Sequence, residues 1–178
     1  VFMVNRLRKA NLGPVFAVSL EPIFGDIDDN ARQLGQFIEQ ICAQTGAQKV
    51  KLVGHSMAGL TMRAYVHNCG GAHRVDRIIC LGSPHHGTLI AHPVKKLGLS
   101  LQQMCFGNAW QAALTAHEAQ PCPVPIISIV SPHDNIAFPQ NTANLAYPNA
   151  VNIELKGIGH LEMVVSKPIF EAVKRALM

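Results

Sequence analysis

The stretch KVKLVGHSMAG, residues 49–59, decides how this chain is read. An apolar run ends at Gly54, and a helical pattern begins at Met57 and continues to residue 68. Between them stands one hydroxyl, Ser56, with small and turn-prone neighbours. A strand that runs into a sharp turn with a serine at its tip is one reading. A plain buried strand-to-helix turn is the other, and the flanking sequence has to choose.

Outward from that stretch, strands and helices alternate. VFAVS (15–19), after Gly13-Pro14, reads as a short strand, as do KVKLV (49–53), RIICL (77–81), VPIISIV (124–130) and AVNIEL (150–155). Residues 27–45 carry Ile27, Leu34, Ile38, Ile41 and Cys42 at three- and four-residue spacing, which predicts an amphipathic helix. Asp26 is placed to cap it, Asp28 and Asp29 suit its positive end, and Gly46 stops it. The helix over 57–68 ends near Gly70-Gly71, and Ser166 opens a last helix with Ile169, Val173, Ala176 and Leu177 on one face. Such alternation implies an α/β fold, a mostly parallel sheet with right-handed crossovers. Strands that are apolar throughout imply helices on both faces. Residues 89–120, rich in Gln, Met and Ala and holding the single Trp110, break the rhythm and read as a cap-like, partly helical insertion.

A length of 178 residues suits a single domain, 1–178. Apolar residues make up 48% and charged residues 15%, a globular composition. The net charge of +4 is dispersed apart from Arg6, Arg8 and Lys9, a solvated helix face, and no basic stripe with interleaved aromatics argues for a nucleic-acid partner. No run approaches the length of a membrane-spanning helix. Of five cysteines, Cys42 and Cys80 fall in apolar patterns and read as small buried hydrophobes. Cys105 and Cys122 are the pair placed to form a disulfide, across a loop-rich stretch, and Cys69 is the fifth.

In a parallel sheet, functional groups collect beyond the carboxyl ends of the strands. There the strands deliver Ser56, then His85 and His86 in GSPHHGT, then His133 and Asp134 in SPHDN, then His160 in KGIGH. Between Ser56 and His160 the acidic residues are Asp76, Glu118, Asp134 and Glu154. Asp76 precedes its strand, Glu154 lies within one, and Glu118 belongs to the insertion. Only Asp134 follows a strand end. His160 follows the last strand, with His85 and His86 as rivals for the same role. The chemistry this implies is acyl transfer. His160 takes the proton of Ser56 Oγ, Asp134 orients the imidazole, and the Met57 N–H, at a helix start, donates to the oxyanion. The usual elbow pattern is GxSxG. Here Ala58 holds the final position and Gly59 comes one later, a departure of one methyl.

These motifs together resemble the bacterial esterases and lipases of the α/β-hydrolase superfamily. LVGHSMAGL, LGSPHHGT, SPHDNIAFP and GIGHLEMV match the elbow, His-Gly, acid and histidine loops of that family, and VSLEPIFGDIDDNARQL is similar to the stretch before its elbow. The resemblance covers almost the whole chain. It implies a carboxylic ester hydrolase with Ser56, Asp134 and His160 as nucleophile, acid and base, Met57 as one oxyanion donor, and neither cofactor nor metal. His85 and His86 are expected to line the substrate cleft, with His55 beside it. The substrate is expected to be a small-molecule ester or a lipid, with contact at a lipid interface. The family also has an earlier strand and His-Gly loop, which supply the second oxyanion N–H. Neither is present here, and residues 1–10 resemble the helix that follows that loop. The expectation is therefore an N-terminally truncated α/β-hydrolase, first strands missing. The alternatives are a non-catalytic or interaction domain with an incomplete oxyanion hole, and an acyltransferase or thioesterase using the same three residues.

Overall fold

The computed structural model describes residues 2–178. Four strands, β1 (Val50–His55), β2 (Val75–Leu81), β3 (Ile126–Val130) and β4 (Val151–Glu154), pair in parallel in the order in which they occur in the chain. Among the described residues six α-helices accompany them: α1 (Phe2–Lys9), α2 (Ile27–Thr45), α3 (Met57–Asn68), α4 (Leu99–Gln103), α5 (Ala109–Ala116) and α6 (Lys167–Leu177).

The alternation of side chains along β2 shows why the sheet is covered on both faces. Ile78 and Cys80 pack into one core with Ile27, Leu34 and Ile38 of α2 and Leu60 of α3. Ile79 and Leu81 pack into a second core with Leu7 of α1 and with Ile169 and Val173 of α6. Both ends of α2 are set by local chemistry. Asp26 Oδ1 accepts the Asp28 N–H at 2.7 Å, and Gly46, at φ +73°, donates its N–H to Cys42 O. Ser166 has the extended backbone of a cap before α6, but its hydroxyl makes no capping bond.

The segment 15–19 is not a strand. It is irregular and has no ladder partners, with Val15 on the α6 side, the following Leu20 on the α2 side, and Phe16 and Val18 exposed. A β-branched run becomes a strand only where a neighbour takes its hydrogen bonds. Among the described residues β1 pairs with β2 alone and its other edge is open. The insertion has a 3₁₀ stretch (Leu89–Leu97) followed by α4 and α5. It is docked rather than loosely hung: Gln103 Oε1 accepts the Ile27 N–H at 2.9 Å and Trp110 Nε1 donates to Asp28 Oδ2 at 2.7 Å, so α2 holds it at its N-terminus. No disulfide joins Cys105 to Cys122. Both are buried free thiols, and Cys105 Sγ donates to Leu101 O within its own helical turn.

Candidate active site

Ser56 occupies the junction of β1 and α3. Its N–H donates to Leu81 O at 2.9 Å, so the sheet ladder holds it to the last residue of the strand. Its backbone then takes φ +58°, ψ −126°, a strained conformation for a residue with a Cβ. The turn closes because its neighbours are small. A Cβ on Gly54 would come within 3.0 Å of the Ala58 methyl and 2.7 Å of Met62 Cε. Gly54 thus makes the room that Ala58 fills, which is why Ala is accommodated after the serine. A Cβ on Gly59 would overlap the Ser83 side chain, so the glycine one position later serves the packing of α3 against the loop after β2. The Met57 N–H is the first donor of α3, a position with no intrahelical acceptor.

Asp134 lies in the turn after β3 and is almost wholly buried. Its Oδ1 accepts the N–H groups of Ile136 and Ala137, both at 2.8 Å, and its Oδ2 lies 2.8 Å from His160 Nδ1. A carboxylate only accepts, so Nδ1 carries the proton and Nε2 is left with a lone pair. Burial pushes the Asp134 carboxyl upward. The hydrogen bonds from His160 and the two amides outweigh it and hold the pKa below the usual value. A second tie joins the acid and histidine loops, from the Gly157 N–H to His133 Nδ1 at 3.0 Å. Among the described residues no hydrogen bond joins Ser56 Oγ to the His160 ring, whose Nδ1 is taken by Asp134.

The remaining histidines fall in different places. The His55 ring stands 4.5 Å from that of His160, centroid to centroid. His85 is fully buried, its Nδ1 3.3 Å from Arg63 Nη1. His86 is partly exposed, its Nε2 3.1 Å from Glu118 Oε2. Both rings are thus bound to a polar network behind the loop. Its centre is Arg63 of α3, 0% exposed. The guanidinium donates to Glu118 Oε1 at 2.6 Å, to Tyr147 Oη at 3.2 Å, and to the carbonyls of His85 and Leu114. Burial raises the Glu118 carboxyl, but His86, Arg63 and the Ala146 N–H lower it further, so its pKa lies below the usual value. Sequence reasoning set Glu118 aside as part of the insertion and did not single out Arg63. The available signal was a guanidinium between Leu60, Ala64 and Tyr65 on a helix with hardly any exposed face. Among the described residues no group of acidic, histidine and cysteine side chains is arranged to hold a metal ion.

Residues 18–122 match the family model described as palmitoyl protein thioesterase. Triacylglycerol lipases of Pseudarthrobacter phenanthrenivorans and Burkholderia plantarii are each 38% identical over 79 residues, 43% of this chain. The chain's match spans 24% and 22% of those two relatives. The mature form of Bacillus licheniformis lipase BlEst2 superposes with a TM-score of 0.74 at 18% identity, covering 88% of this chain and 76% of that one. Aspergillus fumigatus lipase B superposes with a TM-score of 0.61 at 22% identity, covering 74% and 35%. The fold is that of the α/β-hydrolases.

Proposed function

The chain belongs to the palmitoyl protein thioesterase family, and on that premise we propose that it is a serine hydrolase of carboxylic esters carrying apolar acyl groups. The observation that carries the proposal is the anchored Asp134–His160 pair, 2.8 Å from Oδ2 to Nδ1, at the same sheet edge as a strained Ser56. In this mechanism His160 Nε2 takes the Ser56 proton as Oγ attacks the acyl carbonyl. The Met57 N–H donates to the oxyanion of the tetrahedral intermediate. Collapse expels the alcohol, which leaves with the proton from His160. Water, deprotonated by the same imidazole, then releases the acid from the Ser56 ester. Asp134 holds the ring in its working tautomer and stabilises the imidazolium.

The substrate class is an apolar ester or lipid, in keeping with the two triacylglycerol lipase relatives. The family description favours one second reading, a thioester in place of the oxygen ester, with the same attack and a thiolate leaving group. The 178 residues form a single domain in this reading, and the insertion at 89–120 borders the acyl site. Leu89, Ile90 and Phe106 of that insertion are exposed, which suits contact with an acyl chain. Replacing Ser56 tests the proposal. In the full-length protein Ser56→Ala is expected to abolish hydrolysis of a soluble short-chain ester and of its thioester analogue, with the melting temperature nearly unchanged. Undiminished turnover would remove Ser56 as the nucleophile.

A further inference from the structure

His55 is the last residue of β1 and stands directly before Ser56. Val53, two residues earlier on the same side of the strand, packs into the α6-side core, so His55 leaves the sheet on that side, toward the histidine loop. Its Nε2 lies 3.0 Å from the backbone oxygen of His160. A carbonyl only accepts, so Nε2 carries the hydrogen and donates it. Burial first, and the nearby His160 second, lower the pKa of His55 to about 4. At neutral pH the ring is therefore an uncharged donor, and it places no like charge beside the imidazolium that forms on His160 during turnover.

His160 needs such a tie. It follows Gly157, which sits at φ +74°, and Gly159, so the loop that carries it has little stiffness of its own. The bond to Asp134 fixes the ring at Nδ1, and His133 and Glu162 hold the Gly157 and Gly159 N–H groups, yet none of these bonds ties the loop to the end of β1. The bond from His55, the neighbour of Ser56, to the His160 carbonyl makes that tie. It also makes one rigid unit of the β1 end, where the attacking oxygen sits, and the base that serves it.

We propose that His55 is a positioning residue for the general base: its Nε2–H holds the His160 carbonyl and thereby sets the imidazole over Ser56. The inference rests on the triad reading above. It is tested in the full-length protein with His55→Phe, which keeps a ring and loses the donor, and His55→Gln, which keeps an N–H donor. His55→Leu takes the place of the Phe variant if that variant does not fold. Ser56→Ala and His160→Ala are run beside them. The readouts are kcat and KM on a soluble ester, the melting temperature, and the proton NMR resonance of His160 Nδ1–H. His55→Phe is expected to lower kcat on the order of 10- to 100-fold, the cost of a slight misplacement of a reacting group. KM and melting temperature should stay close to wild type, and the Nδ1–H resonance should broaden. His55→Gln should recover most of kcat and the sharp resonance. Wild-type kcat and resonance in His55→Phe overturn the inference. A loss as complete as that of His160→Ala also overturns it, because His55 would then take part in the proton transfer itself. Turnover surviving in Ser56→Ala or His160→Ala instead overturns the triad reading, and this inference with it.

Discussion

At the end of β2, Gly82 adopts φ +52°, and a Cβ built there would lie 2.8 Å from Asp134 Oδ2 and 2.7 Å from Met163 Sδ. The carboxylate oxygen that meets His160 thus rests against bare backbone. Gly82→Ala strains the turn and pushes the acid off its line to Nδ1. The expected result is a fall in kcat of roughly 10²-fold, since misplacement of this size acts on the proton transfer rather than on binding. Steady-state kinetics with a short-chain ester checks this, and a kcat within twofold of wild type would show that Asp134 has slack. The glycine pattern also explains what sequence could tell about the turn at Ser56. Gly54 and Ser56 were legible because their demands are local. The packing of Gly59 on Ser83 was not, because the two meet only once β2 has been laid beside β1.

At the scale of elements, a buried ion pair ties residues 89–120 to α3. Arg63 of α3 and Glu118 at the end of the insertion meet at 2.6 Å, both side chains almost fully buried, while the same guanidinium reaches the loop after β2 and Tyr147 before β4. Removing one partner leaves the other charge buried alone, a loss of about 3–5 kcal/mol. Glu118→Leu is expected to cost that much in urea unfolding. The double variant Arg63→Met, Glu118→Leu should recover a large part of it, because a matched apolar pair needs no desolvated charge. A single-variant loss below about 1 kcal/mol would contradict the pair's role. The regular elements were largely legible: the 27–45 helix, with its Asp26 cap and Gly46 stop, appears with those bounds, and β2 begins two residues before the predicted run. What sequence periodicity could not carry was anything decided by a distant partner. The 15–19 run has strand composition and no strand beside it, and Arg63 finds its carboxylate 55 residues away. The strand order alone brings the ends of β3 and β4 together, and with them Asp134 and His160; their chemical roles are the proposal made above.

Over the whole molecule, three partly or fully buried histidines contribute to the response to acid. Burial lowers His55 and His67 from the ordinary 6.5 to about 4, and His85 well below its usual value. Between about 6.5 and 4 the unfolded chain therefore binds more protons than the native one, and stability falls as the pH is lowered through that window. Asp134 and Glu118, both held below their ordinary values, add to stability above the unfolded carboxyl range and lose that contribution below it, in the same direction. The melting temperature is expected to be level from about pH 6.5 to about pH 8 and to drop steadily toward pH 4. A flat or rising profile would mean that these rings charge freely in the native state. In the proposed mechanism Ser56 is the nucleophile and His160, oriented by Asp134, activates it. The most direct measurement is labelling of the full-length protein with a fluorophosphonate, followed by peptide mass mapping of the adduct. The expected result is a single adduct on Ser56, no labelling of Ser56→Ala, and labelling slowed by several orders of magnitude in His160→Ala. An adduct on any other residue, or an unchanged rate without His160, would contradict it.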